Sequence, residues 1–124
     1  MKNFLKIVLV LAFISNTFTT VAQKKDVTKY KCMVQMTNYA GEGAYIVVSL
    51  IDPKGNYEKT LYVMGPDKKW YKDLKEWNKF QTKKPANISA ISGASISGGD
   101  RSVTILEIEN SKINSGYSLR FESA

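Results

Sequence analysis

Apolar and polar positions alternate along much of this chain. Tyr30, Cys32, Val34 and Met36 fall on one side of an extended segment, with Lys31, Gln35 and Thr37 mostly on the other, which is strand periodicity. Tyr45 to Ile51 is rich in β-branched and aromatic residues and ends at Asp52-Pro53-Lys54-Gly55. There Pro presets one turn angle and Gly tolerates positive φ, so a hairpin into Tyr57 to Met64 follows. From Asp67 to Phe80 the period changes. Trp70, Leu74, Trp77 and Phe80 recur at three or four, and Lys68, Lys72, Lys75 and Lys79 take the opposite face. That predicts one amphipathic helix, with Asp67 after Gly65-Pro66 as its N-cap and with Lys69–Asp73 and Lys72–Glu76 pairs along it.

Gln81 to Asn87, containing Lys83-Lys84-Pro85, reads as a connector into a Ser/Gly-rich stretch from Ser89 to Asp100, the longest loop-like tract. Two strands close the chain. In Tyr117 to Glu122, Tyr117, Leu119 and Phe121 alternate with Ser118, Arg120 and Glu122, and Asn114-Ser115-Gly116 supplies the preceding turn. In Val103 to Glu109 the apolar phase shifts from Val103 and Ile105 to Leu106 and Ile108, which predicts a bulge or burial of both faces. Four to six short strands with one helix predict an all-β fold, a small sandwich with one amphipathic helix covering an edge or open end. An α+β roll is the alternative.

The N-terminus adds an address. Lys2 and Lys6 flank the apolar run Ile7 to Ile14, and Thr20-Val21-Ala22 is a small-residue exit. The run falls short of the roughly 20 apolar residues that span a bilayer, so a cleaved signal peptide over 1–22 is expected, with a single secreted domain over 23–124 and no transmembrane segment in it. A periplasmic or secreted location follows. The full chain carries a net charge of +7. The signal takes away two lysines and no acid, leaving a moderate basic excess rather than the dense patch of a nucleic-acid binder.

Composition then removes chemistry. The chain has no histidine, the usual base near neutral pH and the commonest transition-metal ligand. Serine triads and histidine-based zinc sites are excluded. Cys32 is the sole cysteine, so no disulfide forms within the chain. Its strand alternation buries it, and its distance from the signal exit, behind Lys24-Lys25-Asp26, argues against lipid attachment. Among the carboxylates, Glu107 and Glu109 share a strand face and Asp52 and Asp100 sit in turns, without an evident acid–base pair. The Asp52 turn lacks the repeated oxygen ligands of a calcium loop. Catalytic and metal-ligating residues are therefore expected to be none. The helix lysines are expected to be a solvated face and Trp70 and Trp77 chiefly core, with stacking on a flat ligand as their functional alternative. Asn87-Ile88-Ser89 matches a glycosylation acceptor, which carries little information here.

The order of Tyr39, Asp52-Pro53-Lys54-Gly55-Asn56-Tyr57, Thr60-Leu61, Trp70 to Trp77, Ser92-Gly93-Ala94-Ser95 and Ser115-Gly116-Tyr117-Ser118-Leu119 resembles a family of predicted periplasmic proteins, domain-of-unknown-function family 2271. The resemblance covers about Tyr30 to Phe121 and implies an immunoglobulin-like sandwich. It also implies a companion of PepSY-type membrane proteins and of flavin-transfer enzymes, hence a partner among envelope or membrane redox proteins. Ser89-Ala90-Ile91-Ser92-Gly93-Ala94-Ser95 is similar to the Asp-x-x-Ser-Gly-Ala-Thr pattern at which a flavin transferase attaches FMN through phosphate, with Ser89 in place of the Asp and Ser95 in place of the Thr. By that match Ser92, Gly93, Ala94 and Ser95 would hold the cofactor and Ser95 would accept it. The function expected is an extracytoplasmic binding or accessory module supporting a flavin- or haem-linked system. The alternative is a covalent FMN carrier modified at Ser95.

Overall fold

A computed structural model of the protein describes residues 26–124, and the signal-peptide reading over 1–22 lies outside them. Six strands form two sheets. β1 (Val27–Gln35) pairs antiparallel with β5 (Arg101–Glu109) as a two-stranded ribbon. β2 (Ile46–Ile51), β3 (Tyr57–Met64), the two-residue β4 (Ser92–Gly93) and β6 (Ser118–Ser123) form the second sheet in the order β4-β3-β2-β6. β3 and β4 run parallel, the other neighbours antiparallel. The domain is mostly β with two sheets and a short helix, and this strand order does not display an immunoglobulin sandwich.

Every residue of β2 is buried, because the larger sheet is covered on both sides. On one face Val47 and Val63 pack against Tyr71, Leu74 and Trp77 from the helical segment and Ile88 from the connector after it. On the other, Val48, Leu50 and Leu61 meet Leu106 and Ile108 of the ribbon, with Cys32 and Tyr117 at the margin. A third cluster of Ala44, Ile46, Met64 and Ile96 closes one end. The result is three layers: helix, sheet, ribbon.

The single expected helix is two. A 3-10 turn runs over Lys68–Asp73, capped by the Asp67 side chain on the Lys69 amide, and helix α1 runs over Lys75–Lys83. Leu74, at φ −82 and ψ 72, breaks the path between them. In a 3-10 turn residues three apart eclipse. Tyr71 and Leu74 therefore share the buried face, which Trp77 of α1 continues, and Trp70 is turned out, 46% exposed. α1 stops before Pro85, whose ring disfavours helical backbone at Lys84. Its start lacks a local cap, and the carboxylate of Glu122 on β6 supplies one, accepting from the amides of Glu76 and Trp77 at 2.9 Å each.

Two further expectations are corrected. The Ser/Gly-rich tract is not an open loop, since it holds a 3-10 turn at Ser89–Ile91, strand β4 and a bridge from Ile96 to Ala44. β5 is neither bulged nor buried on both faces. Its register with β1 is unbroken, and Val103 and Ile105 point away from the sheet, 62% and 45% exposed. The register shifts fall instead in β3, opposite Val48/Ser49 and Leu50/Ile51. At the hairpin, the Asp52 carboxylate accepts from the Lys54 and Asn56 amides at 2.9 Å each and Gly55 takes φ +85, so Asp52 is committed to the turn.

Candidate functional site: an aromatic cleft at Ser95

The segment after β4, the 3-10 turn and the approach to β2 meet around a cleft of about 360 Å³ lined by Tyr39, Glu42, Gly43, Tyr45, Trp70, Asp73, Ser95 and Ala124. Ser95 and Trp70, 25 positions apart in sequence, thus share one site. Each wall has a local cause. The Asp67 cap starts the turn that carries Trp70, and Lys69 ties both together, with its ammonium 3.2 Å from the Asp67 carboxylate and 5.1 Å from the Trp70 ring centre. The bond from the Lys69 amide, with the Lys69 charge beside it, holds the Asp67 carboxyl below its usual range.

Tyr45 is fixed from two directions. Its hydroxyl accepts from the Asp67 amide at 3.1 Å, and its ring lies on the bare backbone of Gly65, where a Cβ would stand 2.3 Å from a ring carbon. Gly65 also has φ +142, which strains any other residue. Behind it, Tyr71 packs edge-on to Tyr45 at 6.3 Å and donates its hydroxyl to the Gly65 carbonyl at 3.0 Å. Burial pushes the Tyr71 hydroxyl up, so it stays protonated as that donor. Ser95 is placed by the Ala44–Ile96 bridge and rests on Gly43, where a Cβ would come within 2.4 Å of its hydroxyl oxygen.

The remaining residues of the Ser92–Ser95 motif serve the fold. Gly93 pairs with Met64 and leaves room for the Tyr62 hydroxyl, which a Cβ would meet at 2.3 Å. Ser92 belongs to β4 and donates to the Ser89 carbonyl at 3.4 Å, and Ala94 is exposed. Ser89 is held by Asn87 through both its amide and its hydroxyl. Trp77 presents no face to a ligand, being 1% exposed with its indole N–H donating to Thr60 Oγ1 at 2.7 Å.

The cleft suits a flat ring better than a phosphate. Three aromatic side chains line it, but its charged lining residues are Glu42 and Asp73, with no cation among them. A phosphodiester on Ser95 would add negative charge beside two carboxylates, so the residues present do not fit the FMN linkage. Nor is Ser95 set up as a nucleophile, since among the described residues no side chain hydrogen-bonds its hydroxyl. Cys32 lies apart, half-buried in β1, and burial raises its thiol above the ordinary range, away from the reactive thiolate. Glu107 and Glu109 are engaged elsewhere, Glu107 with Lys29 and Glu109 with Lys112, both at 3.6 Å. Among the described residues no group of acids and cysteine is arranged to hold a metal ion, and no helix is long and apolar enough to cross a membrane.

Sequence reasoning missed Tyr39, Tyr45, Glu42 and Asp73 as site residues. Tyr45 was read as the start of a strand and Asp73 as a helix ion-pair partner, and nothing local announces that they converge on Ser95. No curated protein and no solved structure matches the chain. The family model described as "Predicted periplasmic protein (DUF2271)" matches residues 27–124, the whole of the described domain but its first residue, and the chain belongs to that family of predicted periplasmic proteins.

Proposed function

We propose that this protein is a non-catalytic periplasmic binding module whose ligand, or a flat group presented by a partner, enters the Tyr39–Tyr45–Trp70 cleft beside Ser95 in support of a flavin- or haem-linked envelope system. One observation carries the reading. Trp70 is a large aromatic held half-exposed by a capped turn and a cation, next to two tyrosines, in a cleft with hydroxyl and carboxylate groups to orient a guest. The carboxylates favour a neutral or cationic ring over an anionic one. The competing reading, a carrier with FMN esterified to Ser95, draws on the same aromatic walls but sets a phosphate against Glu42 and Asp73.

Two measurements test this. Protein co-expressed with a flavin transferase should keep its unmodified mass and stay colourless; a mass gain of one FMN that Ser95→Ala abolishes would establish the carrier instead. Titration with riboflavin should quench Trp70 saturably and more strongly than FMN does, and Trp70→Phe should remove the signal because Trp77 is sealed in the core. Absence of saturable quenching in the wild type would reject the cleft as a ring site.

A further inference from the structure

A second cavity, of about 560 Å³, lies between the start of β3, the end of α1 and the connector that follows. Its floor is apolar. Tyr57 and Phe80 stack there with ring centres 4.7 Å apart and planes 13° from parallel, beside buried Ile88 and half-buried Ile91. Three cations line it, Lys59, Lys83 and Lys84, and none of them has an ion-pair partner among the described residues. The one carboxylate in the lining, Glu58, is taken by the Lys112 ammonium at 2.9 Å. The lining therefore carries uncompensated positive charge beside an apolar, aromatic floor.

The end of α1 opposes this only weakly. A helix C-terminus carries about half a negative charge, against three full positive ones. Pro85 is why the lysines stand at that end at all, because it halts the helix just after Lys83. The Tyr57 ring is itself held, since its hydroxyl hydrogen-bonds Thr60, which also accepts from Trp77. The floor is thus tied to the core and preformed.

We infer that this cavity is a binding site for a small aromatic anion, its ring on the Tyr57–Phe80 floor and its charged group among Lys59, Lys83 and Lys84. The site is separate from the Ser95 cleft and has the opposite charge preference. The probe is naphthalene-2-sulfonate, titrated into the purified protein by calorimetry. The expected result is saturable one-to-one binding that weakens roughly tenfold in Lys83→Glu with Lys84→Glu and falls steeply with added salt. 2-Naphthol, with the ring and no full charge, and inorganic phosphate, with charge and no ring, should each bind at least about tenfold more weakly. Both substituted lysines are exposed, so the double variant should fold; Phe80→Leu supplies a second arm by removing the ring while keeping apolar volume. Val103→Thr with Ile105→Thr, on the exposed ribbon face, should leave binding unchanged. The inference is overturned by the absence of saturable binding, by binding that the lysine and Phe80 variants leave intact, by phosphate matching the sulfonate, or by binding lost in the ribbon variant.

Discussion

The two faces of the central sheet are closed by different means. On the helix side the lid is locked by polar contacts at each end: Glu122 caps α1, the Trp77 indole donates to Thr60, and the Tyr71 hydroxyl donates to Gly65. Its large side chains, Leu74 and Trp77, are essentially inaccessible. On the ribbon side the cover is two strands wide, and much apolar surface stays outside. Val103, Ile105 and Met33 sit on the ribbon's outer face, and Leu119 and Phe121 flank the β6 edge, Phe121 being 53% exposed. A single helix can bury one stripe completely, whereas a two-stranded ribbon has a second face that no layer covers.

The comparison is broken most severely by Trp77→Ala, which removes the largest buried side chain and one of the two hydrogen bonds Thr60 makes. It should cost about 3–5 kcal/mol in chemical denaturation. Glu122→Ala leaves two α1 amides without an acceptor and should cost about 0.5–2 kcal/mol; a variant as stable as wild type would show that the helix start needs no partner from β6. On the ribbon side, Val103→Thr with Ile105→Thr should stay within about 0.5 kcal/mol of wild type for each substitution, while raising solubility. If that pair destabilises like a core change, the ribbon's outer face is covered in solution.

Titration sharpens the contrast on the ribbon side. A hydrogen bond to Glu58 raises the Lys112 ammonium above its ordinary value. A raised cationic group adds stability below its unfolded value near 10.4, and loses it as pH climbs through the folded one. Glu58→Gln should therefore flatten the fall in stability on the alkaline side. Burial likewise raises the Cys32 thiol, so alkylation by iodoacetamide at pH 8 should be slower than that of a cysteine peptide and should recover only at higher pH. Peptide-like reactivity would place Cys32 on an open edge.

Much of this fold could be read along the chain, because β1 and β6 alternate, β2 and β3 flank a recognisable Asp-Pro-Lys-Gly turn, β5 is an apolar run, and the helical segment changes period. What could not be read depended on the third dimension. The α-helical period assigned Trp70 to the core, whereas the break at Leu74 and the tighter 3-10 turn put Tyr71 there instead. The double apolar phase of β5 is the same string of residues whether its second face is buried or bare. Of the candidate site, Ser95 and Trp70 were named, but their meeting in one cleft arises from the Ala44–Ile96 bridge, and the carboxylates that reverse its electrostatics lie outside any recognisable motif.

The bond from Glu122 to α1 also sets an order of events. α1 spans nine residues, below the roughly 12–15 at which an isolated helix becomes even marginal in water, and its cap lies 45 positions further along the chain. The helix therefore gains its N-terminal cap only once residue 122 has joined the sheet. Once assembled, the amides of Glu76 and Trp77 should exchange with solvent only in openings that also release β6, which makes the last strand and the lid one cooperative unit.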